Sequence, residues 1–346
     1  MKEIRVLVVD DSTVARELIM DILSTEKEIK VVGEAANGME ATQKVRDLKP
    51  DIVTIDIEVP VMNGIDSIEE IMAANAVPIL AVTSRGDTKT AYDAISRGAL
   101  DLAVKPDISR KGAREFVDKI KLLSKIKVNT RIGRRAMREI KLVGKLSFEG
   151  GEVDRIVAIA ASTGGPEALS IILSSLPAGF PCPVVIAQHI SDGFVAGMAE
   201  WLQKLSKLSV KSPAEGEPLL PGTVYIAPSE KHMEIAGSKT ITLAERQEND
   251  IYHPSCDRLL SSAARAFGSR SIGVILTGMG RDGAWGMEKI KKAGGTTIAQ
   301  DEKTSIVFGM PKIAIETGCI DKVLPIEEIS GEIVRTLTSR PMALSS

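Results

Sequence analysis

Aromatic residues make up only 3% of this 346-residue chain: two tryptophans, three tyrosines and six phenylalanines. So thin a supply argues against base-stacking platforms and aromatic-cage binding. Cysteine is also scarce, and Cys182, Cys256 and Cys319 are odd in number and widely spaced. That fits reduced thiols rather than a disulfide framework. No apolar run approaches the ~18 residues of a membrane span. The apolar run at the start gives way at once to Asp10-Asp11, so no signal peptide is visible. These absences predict a cytoplasmic protein with no membrane insertion. What is plentiful is aliphatic: 44% of residues are hydrophobic, enough at this length for two cores.

The run Ile156-Val157-Ala158-Ile159-Ala160-Ala161 delivers Ser162 into Thr163-Gly164-Gly165-Pro166, and a helical pattern follows. A serine there sits where open α/β sheets collect ligand and catalytic groups. It also lies beside the free N–H groups and positive dipole end of a helix. Taken alone, the segment is equally a turn whose serine caps the helix. Two later runs shift that balance. Pro183-Val184-Val185-Ile186-Ala187 ends in Gln188-His189, and Ser271-Ile272-Gly273-Val274-Ile275-Leu276 runs into Thr277-Gly278-Met279-Gly280-Arg281-Asp282-Gly283. If those strands are parallel neighbours, Ser162, His189 and Asp282 converge at one rim. A hydroxyl needs a base to take its proton, and the base needs a carboxylate to fix its tautomer. Glycines around Met279 let backbone N–H groups approach a developing oxyanion.

The N-terminal third repeats the design with other chemistry. Apolar runs end at Asp10-Asp11, at Asp56, at Thr83-Ser84 and at Lys105-Pro106, and helical patterns alternate with them. The βαβ rhythm predicts a doubly wound parallel sheet. Three carboxylates at one rim repel each other unless a hard cation joins them, and oxygen ligands suit Mg²⁺. The plainer alternative is a flavodoxin-like domain with solvated acids in its loops.

From about residue 152 to 340, Ala161–Pro166, Gln188-His189 and Thr277–Gly283 resemble the catalytic domain of the chemotaxis protein-glutamate methylesterases, the CheB family. Ile226-Ala227-Pro228, Lys231-His232-Met233-Glu234, His253-Pro254-Ser255 and Val307–Pro311 share the likeness. The resemblance implies Ser162 as nucleophile, His189 as general base and acid, and Asp282 as its orienting carboxylate. It also implies an oxyanion hole from Met279 and Thr163. Residues 1 to about 122 resemble a response-regulator receiver domain. That resemblance implies Asp56 as phosphoacceptor, with Asp10, Asp11, Asp56 and the Glu58 carbonyl around magnesium. Thr83 becomes the switch hydroxyl and Lys105 the phosphoryl partner. One departure is Leu102 at the position where the family's switch aromatic is expected.

The expected architecture is therefore α/β throughout. A five-stranded doubly wound receiver spans 1–122, a basic linker 123–150, and a doubly wound, mostly parallel hydrolase domain 151–346. Arg110 to Lys145 holds 13 Lys/Arg against 3 acids, which reads as a solvated tether or as a dock for an acidic partner. His232, after the run Val224-Tyr225-Ile226, is expected in a polar loop, and His253 ahead of a helix from Cys256 to Phe267. Both read as surface or capping residues. Histidine spacing argues against a zinc motif. A Cys–His hydrolase on Cys256 is weak, since Cys256 falls within the helical pattern. A nucleotide-binding module would need a Gly-x-Gly-x-x-Gly turn that Ala160–Gly165 does not supply, and a dead scaffold would need a lost triad member. The expectation is a phosphorylation-regulated esterase and glutaminase, with Mg²⁺ in the receiver and no cofactor for the esterase. Methyl-accepting chemoreceptors are the expected substrate and a histidine kinase the phosphodonor. The protein is expected to be a monomer that binds no nucleic acid.

Overall fold

The computed structural model describes residues 3–60, 62–84, 88–107, 109–128, 153–247 and 250–338. It divides into two units, Met1–Arg138 and Glu139–Ser346. Most of the expected basic linker, including Arg131 to Lys145, lies outside the described residues.

In the first unit, strands β1 (Ile4–Val9), β2 (Ile29–Ala35), β3 (Ile52–Asp56), β4 (Ile79–Thr83) and β5 (Asp101–Val104) form one parallel sheet in the order β2-β1-β3-β4-β5. Helices α1 (Thr13–Ser24), α2 (Gly38–Leu48), α3 (Gly64–Ala74), α4 (Thr88–Ser96) and α5 (Arg110–Leu123) connect or follow them. Side-chain oxygens of Ser12, Asn37, Asn63 and Ser109 cap four of these helices, satisfying N–H groups that have no partner inside the helix. The strand order reverses between β1 and β3, and crevices at such points take ligands.

The second unit repeats the plan around seven strands. These are β6 (Ile156–Ala161), β7 (Val184–Gln188), β8 (Ser209–Lys211), β9 (Thr223–Ile226), β12 (Ser271–Ile275), β13 (Thr296–Gln300) and β14 (Lys322–Leu324), in the order β14-β13-β12-β6-β7-β9-β8. Every neighbouring pair is parallel. β6 is buried along its whole length, which explains an unbroken apolar run instead of alternation. A separate antiparallel hairpin joins β10 (Lys231–Ile235) to β11 (Ile241–Glu245). The helices are α6 (Gly165–Ser175), α7 (Val195–Leu205), α8 (Cys256–Phe267), α9 (Ala284–Lys292), α10 (Met310–Glu316) and α11 (Ile326–Thr338). Leu259, Leu260, Ala263 and Phe267 of α8 bury themselves in one core with Ile156, Ala158 and Ala160 of β6 and Met233 and Ile235 of β10. The sheet order reverses at β6, so the loops after β6, β7 and β12 open at one rim. No helix among the described residues is long and apolar enough to cross a membrane.

Candidate active site

Ser162 leaves the end of β6 nearly buried, at 9% exposure. Its N–H donates to Thr277 O across 3.0 Å, and its carbonyl accepts from Gln188 Nε2 at 2.8 Å. The same Gln188 amide donates to His189 O at 2.8 Å, so one side chain fixes the serine and histidine segments together. The turn is tight. Gly164 has φ +77°, and a Cβ there would stand 2.6 Å from Ile306. Gly278 lets its loop come close, because a Cβ there would lie 2.6 Å from that of Ser162. Thr277 Oγ1 donates to Thr163 O at 2.9 Å, tying the two glycine loops. Among the described residues, neither Thr163 N–H nor Met279 N–H donates to a protein group. Two backbone donors thus flank the serine uncommitted, as an oxyanion hole requires.

His189 follows β7 and presents Nε2 to Asp282 Oδ2 at 2.8 Å. The carboxylate therefore holds the ring proton on Nε2 and leaves Nδ1 as the basic atom. Ser162 Oγ makes no hydrogen bond among the described residues; such contacts commonly tighten only once substrate is bound. Tyr252 stacks on the imidazole, with centroids 5.2 Å apart and an interplanar angle of 10°, which limits the ring to one plane.

Asp282 sits in a cradle of donors at the start of α8. Oδ2 accepts from Cys256 N at 2.7 Å, and Oδ1 from Asp257 N at 2.9 Å and Ser255 Oγ at 3.3 Å. Asp257 returns the favour to α9: its Oδ1 accepts from Gly283 N at 2.9 Å and Gly286 N at 2.7 Å. Asp282 thus caps the start of α8, in whose first turn Asp257 lies, and Asp257 caps the start of α9, which Asp282 precedes. Burial works to raise the Asp282 pKa, but the His189 hydrogen bond and charge and the Asp257 and Cys256 N–H groups outweigh it and hold the group below the usual carboxylate range. Asp257 goes the other way. Burial and the Asp282 charge push it up to about 6 against the N–H groups of Gly286 and Gly283.

Cys256, Asp257, Gln188 as a clamp and Tyr252 were not foreseen as parts of the site. Cys256 Sγ lies 3.5 Å from His189 Nε2. Burial, then the Asp282 charge, hold its thiol well above the ordinary range, which disfavours the thiolate a nucleophile needs. His232 corrects the sequence expectation. It lies on β10 and is fully buried, not in a polar loop. Its Nε2 meets Asp250 Oδ2 at 2.7 Å, and its Nδ1 accepts from Ser255 N at 3.0 Å. A polar residue can lie at 0% exposure here because both ring nitrogens are satisfied. His253 is half-buried just ahead of the α8 cap Ser255.

At the receiver rim, Asp10 and Asp56 are buried and Asp11 is exposed, with one oxygen from each within 4.8 Å of the others. Lys105 Nζ bridges Asp56 Oδ2 at 2.7 Å and Asp10 Oδ2 at 2.8 Å. Burial raises the Asp10 pKa in spite of the lysine. Burial opposes the charge on Lys105, but its bonds to both aspartates prevail and raise it. Glu58 is exposed, its N–H donating to Asp56 Oδ1 at 3.2 Å. Thr83 is buried at the end of β4 with its Oγ1 3.4 Å from Ser84 O, and Leu102 is buried on β5. Two buried carboxylates with an exposed third, beside the Lys105 ammonium, fit a hard divalent ion.

Residues 157–333 match the family model described as CheB methylesterase, and residues 6–114 that of the response regulator receiver domain. A protein-glutamate methylesterase/protein-glutamine glutaminase 3 of Paramagnetospirillum magneticum is 47% identical over 343 residues, covering 96% of each chain. A protein of the same description from Pyrococcus abyssi is 42% identical over 349 residues, 97% of this chain and 94% of its own. Among solved structures, the Thermotoga maritima CheB methylesterase catalytic domain is 41% identical with a TM-score of 0.52, over 54% of this chain and 100% of that one.

Proposed function

Since the chain belongs to the CheB methylesterase family and carries a response-regulator receiver domain, we propose that Ser162, His189 and Asp282 perform its ester hydrolysis and that Asp56 controls it. The enzyme is a phosphorylation-regulated protein-glutamate methylesterase and protein-glutamine glutaminase of chemotaxis adaptation. His189 Nδ1 takes the Ser162 proton as Oγ attacks the γ-carbonyl of a glutamyl methyl ester. The resulting oxyanion faces the free N–H groups of Thr163 and Met279. His189 then protonates methoxide, methanol leaves, and water activated by the same nitrogen cleaves the acyl-enzyme. A glutamine amide follows the same course and releases ammonia. Asp282 stabilises the imidazolium throughout.

The observation carrying this reading is the His189–Asp282 bond of 2.8 Å at the rim where Ser162 emerges. The esterase proposed here uses no cofactor. In the receiver, Asp10, Asp11, Asp56 and the Glu58 carbonyl would hold Mg²⁺, which when bound offsets charge on the incoming phosphoryl group. Lys105 and Thr83 would then contact that group on Asp56. The proposed domains are 1–122, the linker 123–150, and 151–346. Methyl-accepting chemoreceptors are the proposed substrates and a histidine kinase the phosphodonor, with the enzyme a cytoplasmic monomer. Methanol release from methylated receptor, together with sulfonyl fluoride labelling, tests the core of this. Adduct on Ser162 supports it, and full activity in the labelled or the Ser162→Ala enzyme refutes it.

A further inference from the structure

Cys256 brings to the triad a sulfur that ester hydrolysis does not use. Its Sγ stands 3.5 Å from His189 Nε2, the nitrogen that meets Asp282 Oδ2 at 2.8 Å. One ligand atom from each of the three residues lies within 4.8 Å of the others. The three come from separate segments: the loop after β7, the first residue of α8, and the loop before α9. An imidazole, a thiol and a carboxylate form a donor set for borderline-soft divalent ions such as zinc, and a poor one for magnesium. The spacing agrees. An ion about 2.3 Å from sulfur and about 2.1 Å from nitrogen, at a tetrahedral angle, holds those atoms about 3.6 Å apart.

We propose that His189, Cys256 and Asp282 form an inhibitory site for zinc-class divalent cations, with Nε2, Sγ and Oδ2 as its ligands. The Cys256 thiol donates to Ala187 O at 3.4 Å in the resting enzyme, and on binding its proton leaves to solvent. The Nε2 proton moves to Nδ1, so the nitrogen lone pair faces the ion. One dication then meets one thiolate and one carboxylate, and the buried site, which carried the single Asp282 charge before, becomes neutral. The Nε2–Oδ2 contact has to widen by about 0.5 Å to admit the ion. His189 is 14% exposed at its side chain, which gives the ion a way in and leaves its outer position to water. With Nε2 on the metal and the proton on Nδ1, the imidazole cannot accept the Ser162 proton, so turnover stops. This loss of rate rests on the reading of His189 as base; the binding itself does not.

The test uses the full chain in excess Mg²⁺, which fills the receiver's oxygen site. Zn²⁺ should inhibit methanol release reversibly, with activity restored by a chelator. Cd²⁺ titrated without substrate should give one equivalent of thiolate-to-metal charge-transfer absorption and release one proton. Loss of even an outer hydrogen-bond partner of a ligand costs about 10–100-fold in metal affinity. Cys256→Val, an apolar side chain in an apolar core, should therefore raise the half-inhibitory Zn²⁺ concentration by about 100-fold or more, measured against the variant's own metal-free rate. It should also abolish the absorption. Cys256→Ala gives the same reading if valine does not fold. Unchanged Zn²⁺ inhibition in both variants would overturn the proposal, as would Cd²⁺ binding without thiolate absorption. Inhibition that disappears in Asp56→Ala would also overturn it, by placing the ion in the receiver. Thiolate-coupled Cd²⁺ binding to a chain lacking esterase activity would support the metal site while sinking the catalytic reading.

Discussion

Replacing Asp282 by asparagine keeps the shape of the side chain and removes one acceptor from a fully used carboxylate. Oδ2 serves His189 Nε2 and Cys256 N, and Oδ1 serves Asp257 N and Ser255 Oγ. An amide has only one oxygen, so its NH₂ must face a donor whichever way it turns. Turned toward Asp257, it leaves that N–H unpaired at the start of α8. Turned toward His189, it orphans Cys256 N and forces the ring proton to Nδ1, the atom needed as base. A buried donor left unsatisfied costs about 1–3 kcal/mol, so Asp282→Asn should lose about that much stability. The rate penalty should be larger. The equivalent change in another serine hydrolase costs about 10⁴-fold in kcat, and the same tautomer logic applies here. Methanol release from methylated receptor measures the rate, and urea unfolding the stability. A variant within tenfold of the wild-type rate would refute the assignment of Asp282, and with it the tautomer drawn from the 2.8 Å contact.

Ser162→Ala and His189→Ala should each abolish methanol release, and the double variant should be little worse than either, since triad members act as a unit; additive losses would contradict that. A small phosphodonor with Mg²⁺ should modify Asp56 and raise activity by roughly 5- to 150-fold, while Asp56→Ala should show neither modification nor activation by mass spectrometry and methanol assay. Burial raises the Glu167 carboxyl to about 7 from an ordinary 4.5. The unfolded chain ionises first, so the penalty grows as pH climbs between those values and is complete above 7. After solvent screening of a half-buried group, Glu167→Gln should add about 1–2 kcal/mol at pH 8 and nothing near pH 4.5; urea unfolding that shows an equal gain at both pH values refutes the burial argument.

The parts of this fold that sequence exposes best are those where neighbouring residues decide the outcome. An unbroken apolar run reads as a buried parallel strand, and β6, β7 and β12 lie where such runs occur. Residues at the strand ends were therefore legible, Ser162, His189 and Asp282 among them, as were Asp10, Asp56, Thr83 and Lys105 at the other rim. What stayed hidden depends on which elements pack together. Cys256 looked like an ordinary helix residue because its helix was rightly read as Cys256–Phe267; nothing local says that the helix start meets the loops after β7 and β12. The exchange of caps between Asp257 and Asp282 links residues 25 positions apart, beyond any periodicity. His232 failed differently. Lys231-His232-Met233-Glu234-Ile235 carries three polar residues in five, which reads as a loop, yet it pairs with β11 and turns His232 inward. Burial of that ring is tolerable only because Asp250 and the Ser255 N–H, both distant in sequence, satisfy its two nitrogens. Ser255 in turn donates to Asp282, so a histidine that takes no part in the proposed chemistry helps fix the carboxylate that does.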